Sequence, residues 1–274
     1  MIEVNNLEKE FTIRKRTPGA LSHIRSLFAP TITKVKALDS LSFHVARGEI
    51  VGYIGQNGAG KSSTIKVLSG ILTPSSGSCT INGIVPWKNR KQHVQNIGVI
   101  FGQKSQLLWD LPVIDTFSLL KEIYHLPTHA YTEELSFLAE VLEFSHLLNT
   151  PVRQLSLGQR MRCEIGAALI HRPDLLFLDE PTIGLDAISK KKERDLIKRL
   201  NNERNLTVFL TSHDTRDLEV LAHRIILIDQ GKIVFNDQLS AFRKLASHSE
   251  DSLEDILIAL YDRSHTDSDQ PGGA

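Results

Sequence analysis

The chain has 274 residues, enough to bury a sizeable core in one large domain or in one domain carrying an inserted lobe. Lysine plus arginine and aspartate plus glutamate both total 32, so no net field draws the protein onto nucleic acid, and no nucleic-acid partner is expected. The two cysteines, Cys79 and Cys163, lie far apart and outside any C-x-x-C spacing, which argues against a disulfide framework or a zinc site and for a reducing compartment.

Taken in chain order, the start Met1-Ile2-Glu3-Val4 has neither the basic nor the apolar region of a signal peptide. No run reaches the ~18–20 apolar residues that a membrane span needs. The chain is therefore expected to be soluble and cytosolic by itself, reaching a membrane only through another polypeptide. After Phe11 comes a basic stretch, residues 14–36, with Arg14, Lys15, Arg16, Arg25, Lys34 and Lys36 and no acid. Leu21, Ile24, Leu27 and Phe28 share one helical face there. A basic amphipathic helix against anionic headgroups or a membrane partner and a plain solvated loop are equally compatible with that pattern.

Residues 49–54 are predicted as a buried strand running into a glycine-rich loop, and 61–69 as the helix after it, stopped by Gly70. Further core strands are predicted at 97–101, 175–178 and 207–211, with a hairpin formed by 224–229 and 232–235 around Gln230-Gly231. This alternation predicts an α/β fold with a mainly parallel sheet. Residues 104–170 are expected to be almost wholly helical, an inserted lobe in which Leu135, Leu138 and Leu142 share a face and Glu133 and Glu134 sit near a positive helix end. From Ser240 the chain is an appendage. Ser252 caps a predicted helix bearing Leu253, Ile256, Leu257 and Leu260, and the polar residues 262–274 are expected to be disordered.

Three motifs carry the chemistry. Gly55-Gln56-Asn57-Gly58-Ala59-Gly60-Lys61-Ser62 matches G-x-x-x-x-G-K-[ST] between a strand and a helix, so its amides converge on the β-phosphate of a nucleotide. Lys61 is expected to reach the β/γ oxygens, Ser62 to ligate Mg²⁺ and Ser63 to add a phosphate contact. Asp179 and Glu180 close an apolar strand at its carboxyl end, where such sheets bind ligands. Asp179 is expected to hold Mg²⁺ through its water shell and Glu180 to polarise the attacking water. Ser156-Leu157-Gly158-Gln159 fits a capping box, and a helix N-terminus with a hydroxyl and a glycine amide is a ready anion site.

With these motifs the chain resembles the ATP-binding-cassette (ABC) ATPase subunits from Met1 to about Leu239. The resemblance implies a P-loop NTPase (RecA-like) core, an antiparallel β subdomain and the helical lobe, in a domain spanning 1–239 with 240–274 appended. It implies four further roles. Gln103 touches Mg²⁺ and water and senses the transport partner; His213 contacts the γ-phosphate; Asp186 makes a dimer contact; and Phe11 stacks on adenine in place of the more usual tyrosine. It also implies that Ser156, Gly158 and Gln159 face the γ-phosphate of ATP held by the opposite subunit, although Leu157 departs from the commoner glycine. One motif set per chain then implies a homodimer, or a dimer with a close relative. The basic insert, with residues 102–112 and 151–158, is similar to a bacterial subgroup paired with ABC-2-type permeases. That subgroup implies an exporter ATPase on the cytoplasmic side of the inner membrane. An importer ATPase shares the same core. A soluble ABC ATPase of DNA repair, translation or cofactor assembly is the other class, but no long coiled-coil insertion or second cassette is visible.

Overall fold

The computed structural model describes residues 1–15, 31–102, 104–212, 214–246, 248 and 252–268. The chain runs through β1 (Ile2–Lys15), β2 (Thr31–Val45), β3 (Ile50–Ile54), α1 (Lys61–Leu68), β4 (Ser76–Ile81), α2 (Arg90–Val94) and β5 (Ile97–Phe101). It continues through α3 (Val113–Ile123), α4 (Thr128–Val141), α5 (Leu157–Leu169), β6 (Leu175–Asp179), α6 (Ala187–Arg204) and β7 (Thr207–Thr211). The last elements are α7 (Thr215–Leu221), β8 (Arg224–Asp229), β9 (Lys232–Gln238), α8 (Leu239–Arg243) and α9 (Leu253–Ser268). Of the basic stretch 14–36, read as an amphipathic helix or a solvated loop, only 14–15 and 31–36 are described, as strand, and Leu21, Ile24, Leu27 and Phe28 lie outside the described residues.

Two sheets form. The larger has the order β5-β6-β7-β3-β8-β9, parallel through β8 and antiparallel only at β9. All five residues of β3 and of β7 are buried, which is why these strands read as continuous apolar runs with no alternation. The smaller sheet is antiparallel in the order β2-β1-β4. There Ile2 and Val4 are buried while Glu3 between them is exposed, the period-two pattern of a one-sided sheet. The α/β fold with a mainly parallel sheet and an antiparallel subdomain is thus the one expected. Tyr53 of β3 joins the layers: its ring lies 5.0 Å from Phe209 and 6.2 Å from Phe43, and its hydroxyl meets Thr64 Oγ1 at 2.9 Å.

Between β5 and β6 lie α3, α4, α5 and two single 3₁₀ turns, with residues 105–112 outside any helix. The segment is therefore less helical than its composition suggests. Phe117 and Phe144 stack at 5.5 Å in its core. Two expectations fail here and at the tail. Helix α4 begins at Thr128, so Glu133 and Glu134 sit past its first turn and cannot serve its positive end. Glu134 is instead 1% exposed and accepts hydrogen bonds from Arg172, just past α5, and Arg204, the last residue of α6, an ion cluster invisible to local periodicity. The appendage is helical through Ser268, past the point where disorder was expected, because Leu257, Leu260 and Tyr261 seat it on Ile54, Leu218 and Phe242. Ser252 does cap it, its hydroxyl accepting from Asp255 N at 3.2 Å.

Candidate active site

The carboxyl ends of β3, β5, β6 and β7 converge on one cleft, whose walls include Ser62, Lys66, Phe101, Gly102, Asp179 and Glu180. The loop from Gly55 enters α1 through Gly60, which has φ 112°, and a Cβ there would stand 2.6 Å from the Ala37 carbonyl. Only glycine fits. The same loop is clipped from outside: Gly231 in the β8–β9 turn donates to the Ala59 carbonyl at 2.9 Å and accepts from Asp39 N at 2.8 Å. Lys61 is 6% exposed and folds back over the loop, its Nζ donating to the carbonyls of Gly55 at 2.6 Å and Gln56 at 3.1 Å. Burial pulls its ammonium below the usual lysine range, opposed by the charges of Glu180 and Asp179.

Asp179 is the last residue of β6. It accepts from Thr211 Oγ1 at 2.7 Å and from Ser62 Oγ at 3.3 Å. Glu180 has φ 57°, uncommon for a residue with a side chain, and its N–H is held by the Thr211 carbonyl at 3.1 Å and hydroxyl at 3.0 Å. One threonine on the neighbouring strand therefore fixes both acids. Gly102 approaches the same turn from β5, donating to the Asp179 carbonyl at 2.9 Å, and a Cβ on it would lie 2.6 Å from the Glu180 carbonyl. Ser62 and Asp179 present a hydroxyl and a carboxylate oxygen side by side beside a buried cation. That set of hard oxygen donors suits Mg²⁺ completed by phosphate and water. No cluster of three or more His, Cys, Asp or Glu for a protein-only metal cage occurs among the described residues.

Ser156, Gly158 and Gln159 line a second cleft, with Arg162, Ser189 and Glu193. The capping box forms in full: Ser156 Oγ accepts from Gln159 N at 3.2 Å and Gln159 Oε1 from Ser156 N at 2.9 Å. Asp186 caps α6, accepting from Ile188 N at 2.9 Å, Ser189 N at 3.0 Å and Ser189 Oγ at 2.7 Å. Leu157 lies toward Gly184, where an added Cβ would come 3.1 Å from Leu157 Cδ2.

The ABC transporter family model matches residues 38–183, more than half of the chain, taking in all three motifs. The chain belongs to the ABC transporter family. It is an ABC ATPase with no described helix long and apolar enough to cross a membrane. The ABC transporter ATP-binding protein NatA of Bacillus subtilis (strain 168) is 31% identical over 217 residues, 79% of this chain and 87% of NatA. The bacitracin transport ATP-binding protein BcrA of Bacillus licheniformis is 36% identical over 199 residues, 73% of this chain and 64% of BcrA. The methionine import ATP-binding protein MetN 2 of Enterococcus faecalis (strain ATCC 700802 / V583) is 33% identical over 218 residues, 78% of this chain and 63% of MetN 2. The chain thus spans under two thirds of the length of those last two relatives. Among solved structures, the dimeric post-hydrolysis state of the cassette MJ0796, bound to ADP and Pi, superposes with a TM-score of 0.71. It covers 87% of this chain and 99% of that one at 24% identity, a likeness of fold.

Within this ABC ATPase the expected site residues fall into two groups. Ser62, Asp179 and Glu180 line the first cleft, with Lys61 of the loop feeling the charge of both acids, and Ser156, Gly158 and Gln159 line the second. Phe11 lies on β1 opposite Val35, half-buried, with Lys9 Nζ 5.3 Å from its ring centroid. Gln103 and His213 lie outside the described residues. Sequence reasoning missed Thr211 and Tyr261. Tyr261 of α9 comes close to the backbone of Gln56, inside the phosphate loop.

Proposed function

We propose that this ABC ATPase is the ATP-binding subunit of an ABC-2-type exporter, working as a homodimer that closes on two ATP molecules and drives a separate permease. One observation carries the dimer: the Ser62–Asp179–Glu180 cleft and the Ser156–Gln159 cleft of a single chain are separate, so in this reading neither is a whole site. In this reading the loop amides and Lys61 hold the β/γ-phosphates, Ser63 adds a contact and Phe11 stacks on the adenine. Ser62, Asp179 and Gln103 would hold Mg²⁺, which neutralises charge on the β- and γ-phosphate oxygens when bound. Glu180 takes the proton of the attacking water, with His213 at the γ-phosphate. Ser156, Gly158 and Gln159 of the second copy close over the same phosphate, and Asp186 supports that contact.

The Glu180→Gln chain is expected to hydrolyse ATP about 10²–10⁴-fold more slowly and to run as a dimer at saturating MgATP. A monomer under those conditions would sink the sandwich. BcrA serves bacitracin transport, while MetN 2, at similar distance, serves methionine import, so export in this reading rests on the basic insert and residues 102–112 and 151–158. Inside-out membrane vesicles bearing the chain and its permease should fill with cargo on addition of MgATP. Filling of right-side-out vesicles preloaded with MgATP instead would identify an importer. ATPase found wholly in the soluble fraction, with no permease bound, would identify the soluble class.

A further inference from the structure

Glu193 sits in the second turn of α6 and is 3% exposed, yet its Oε1 has no hydrogen-bond partner among the described residues. An orphaned buried carboxyl oxygen is costly and calls for an explanation. Two surroundings explain it. On one side Glu193 lines the cleft of Ser156, Gly158 and Gln159 at the start of α5. On the other it feels the charge of Asp217 of α7, which is fully buried. Asp217 accepts from Thr182 Oγ1 at 2.5 Å and Ser212 Oγ at 2.8 Å, and pairs with Arg194 at 2.9 Å. Thr182 follows Glu180 by two residues, and Ser212 lies between Thr211 and His213. Asp217 therefore anchors two loops of the chain's own nucleotide cleft, while Glu193 stands between that anchor and the half-site offered to a partner.

The geometry points to Glu193 as a positioning residue for ATP hydrolysis: buried where α6 lines the cleft of α5, with Oε1 unpartnered among the described residues, it keeps the Ser156–Gln159 half-site in step with the loops held by Asp217. The inference rests on the composite-site reading proposed above. Burial, reinforced by the Asp217 charge and opposed by Arg162, pushes the Glu193 carboxyl up to about 8, so it is mostly neutral at pH 7. The cations nearby are committed elsewhere. Arg194 pairs with Asp217; Arg162 of α5 binds the Glu143 carboxylate at 3.2 Å and its carbonyl at 3.3 Å; Lys192 reaches Glu143 at 3.7 Å; and Lys190 pairs with Asp214 at 2.7 Å. Ionisation would set a second buried negative charge against Asp217 and draw Arg162 away from Glu143, shifting α5 with it.

The full-length chain and its Glu193→Gln variant are assayed for ATPase between pH 7 and 9, with thermal melts at each pH as the control for folding. A carboxyl that titrates near 8 loses about tenfold in its neutral fraction over that range. Glutamine stays neutral, so the variant-to-wild-type rate ratio should rise about tenfold from pH 7 to pH 9. Correspondingly, Glu180→Gln dimers should fall apart in MgATP at pH 9, and Glu180→Gln/Glu193→Gln dimers should persist. A constant ratio, or a wild-type rate that is flat from pH 7 to 9, overturns the role of Glu193. The wild-type arm needs no variant that folds. Wild type that neither hydrolyses ATP nor, as Glu180→Gln, dimerises at pH 7 would instead overturn the composite site itself.

Discussion

Glu180 shows how a single residue is placed by a partner far away in sequence. Its backbone adopts φ 57°, a conformation that costs of order 1–3 kcal/mol and persists only when its surroundings enforce it. Thr211 supplies that enforcement, and the same hydroxyl that accepts from Glu180 N donates to Asp179 Oδ1. Replacing Thr211 by valine keeps the shape but leaves the Asp179 oxygen without its donor. The expected result is a stability loss of about 1–3 kcal/mol and a kcat reduced about tenfold or more, with ATP binding less affected. Steady-state kinetics alongside denaturant melts checks this, and an unchanged kcat would remove Thr211 from the machinery. The two acids themselves were legible, since an apolar run ending in Asp-Glu after a phosphate loop has one ready meaning. Thr211 was not, because its role depends on β6 and β7 pairing Asp179 with Thr211, a register set by long-range packing.

Among the elements, the strands were the most legible because burial makes them mainly apolar runs: β7 and β8 inside the sheet, and even the edge strand β5, fall at their predicted limits. Helices were legible by face but not by consequence. Periodicity found the apolar side of α9, yet nothing local said that this side covers Ile54, the last residue before the phosphate loop, or that Tyr261 reaches Gln56. Likewise Glu134 looked like an ordinary helix acid until α5 and α6 brought Arg172 and Arg204 to it. Docking α9 this way makes the loop's rigidity depend on a segment outside the matched family region. Tyr261→Phe keeps the ring in its apolar seat and removes only the hydroxyl. Losing the polar contact of that hydroxyl beside Gln56, ~1 kcal/mol, predicts up to about fivefold weaker ATP binding with the fold intact. Titration with a fluorescent ATP analogue measures it, and unaltered affinity would make α9 a mere cover for the core.

At the scale of the whole molecule, the two-cleft arrangement turns motif order into a symmetry requirement. Cleft one lies where β3, β5, β6 and β7 end, and cleft two at the start of α5 and α6, so one chain presents two unlike halves. A two-fold dimer in which each half meets the other copy's complement closes both sites at once. Mixing Ser156→Arg chains with Glu180→Gln chains tests this directly. Arginine removes the α5 cap, worth ~1 kcal/mol, and fills the half-site, while glutamine removes the base. Each homodimer then has a lesion in both sites. In the mixed dimer one site carries both lesions and the other carries neither. Random pairing makes half of the dimers mixed, so about a quarter of all sites are intact, and ATPase should recover to about that fraction of wild type. An activity no higher than the mean of the two variants measured separately would mean that each chain hydrolyses ATP alone. In that case Ser156 and Gln159 serve only as the cap that starts α5, which the structure shows they do in full.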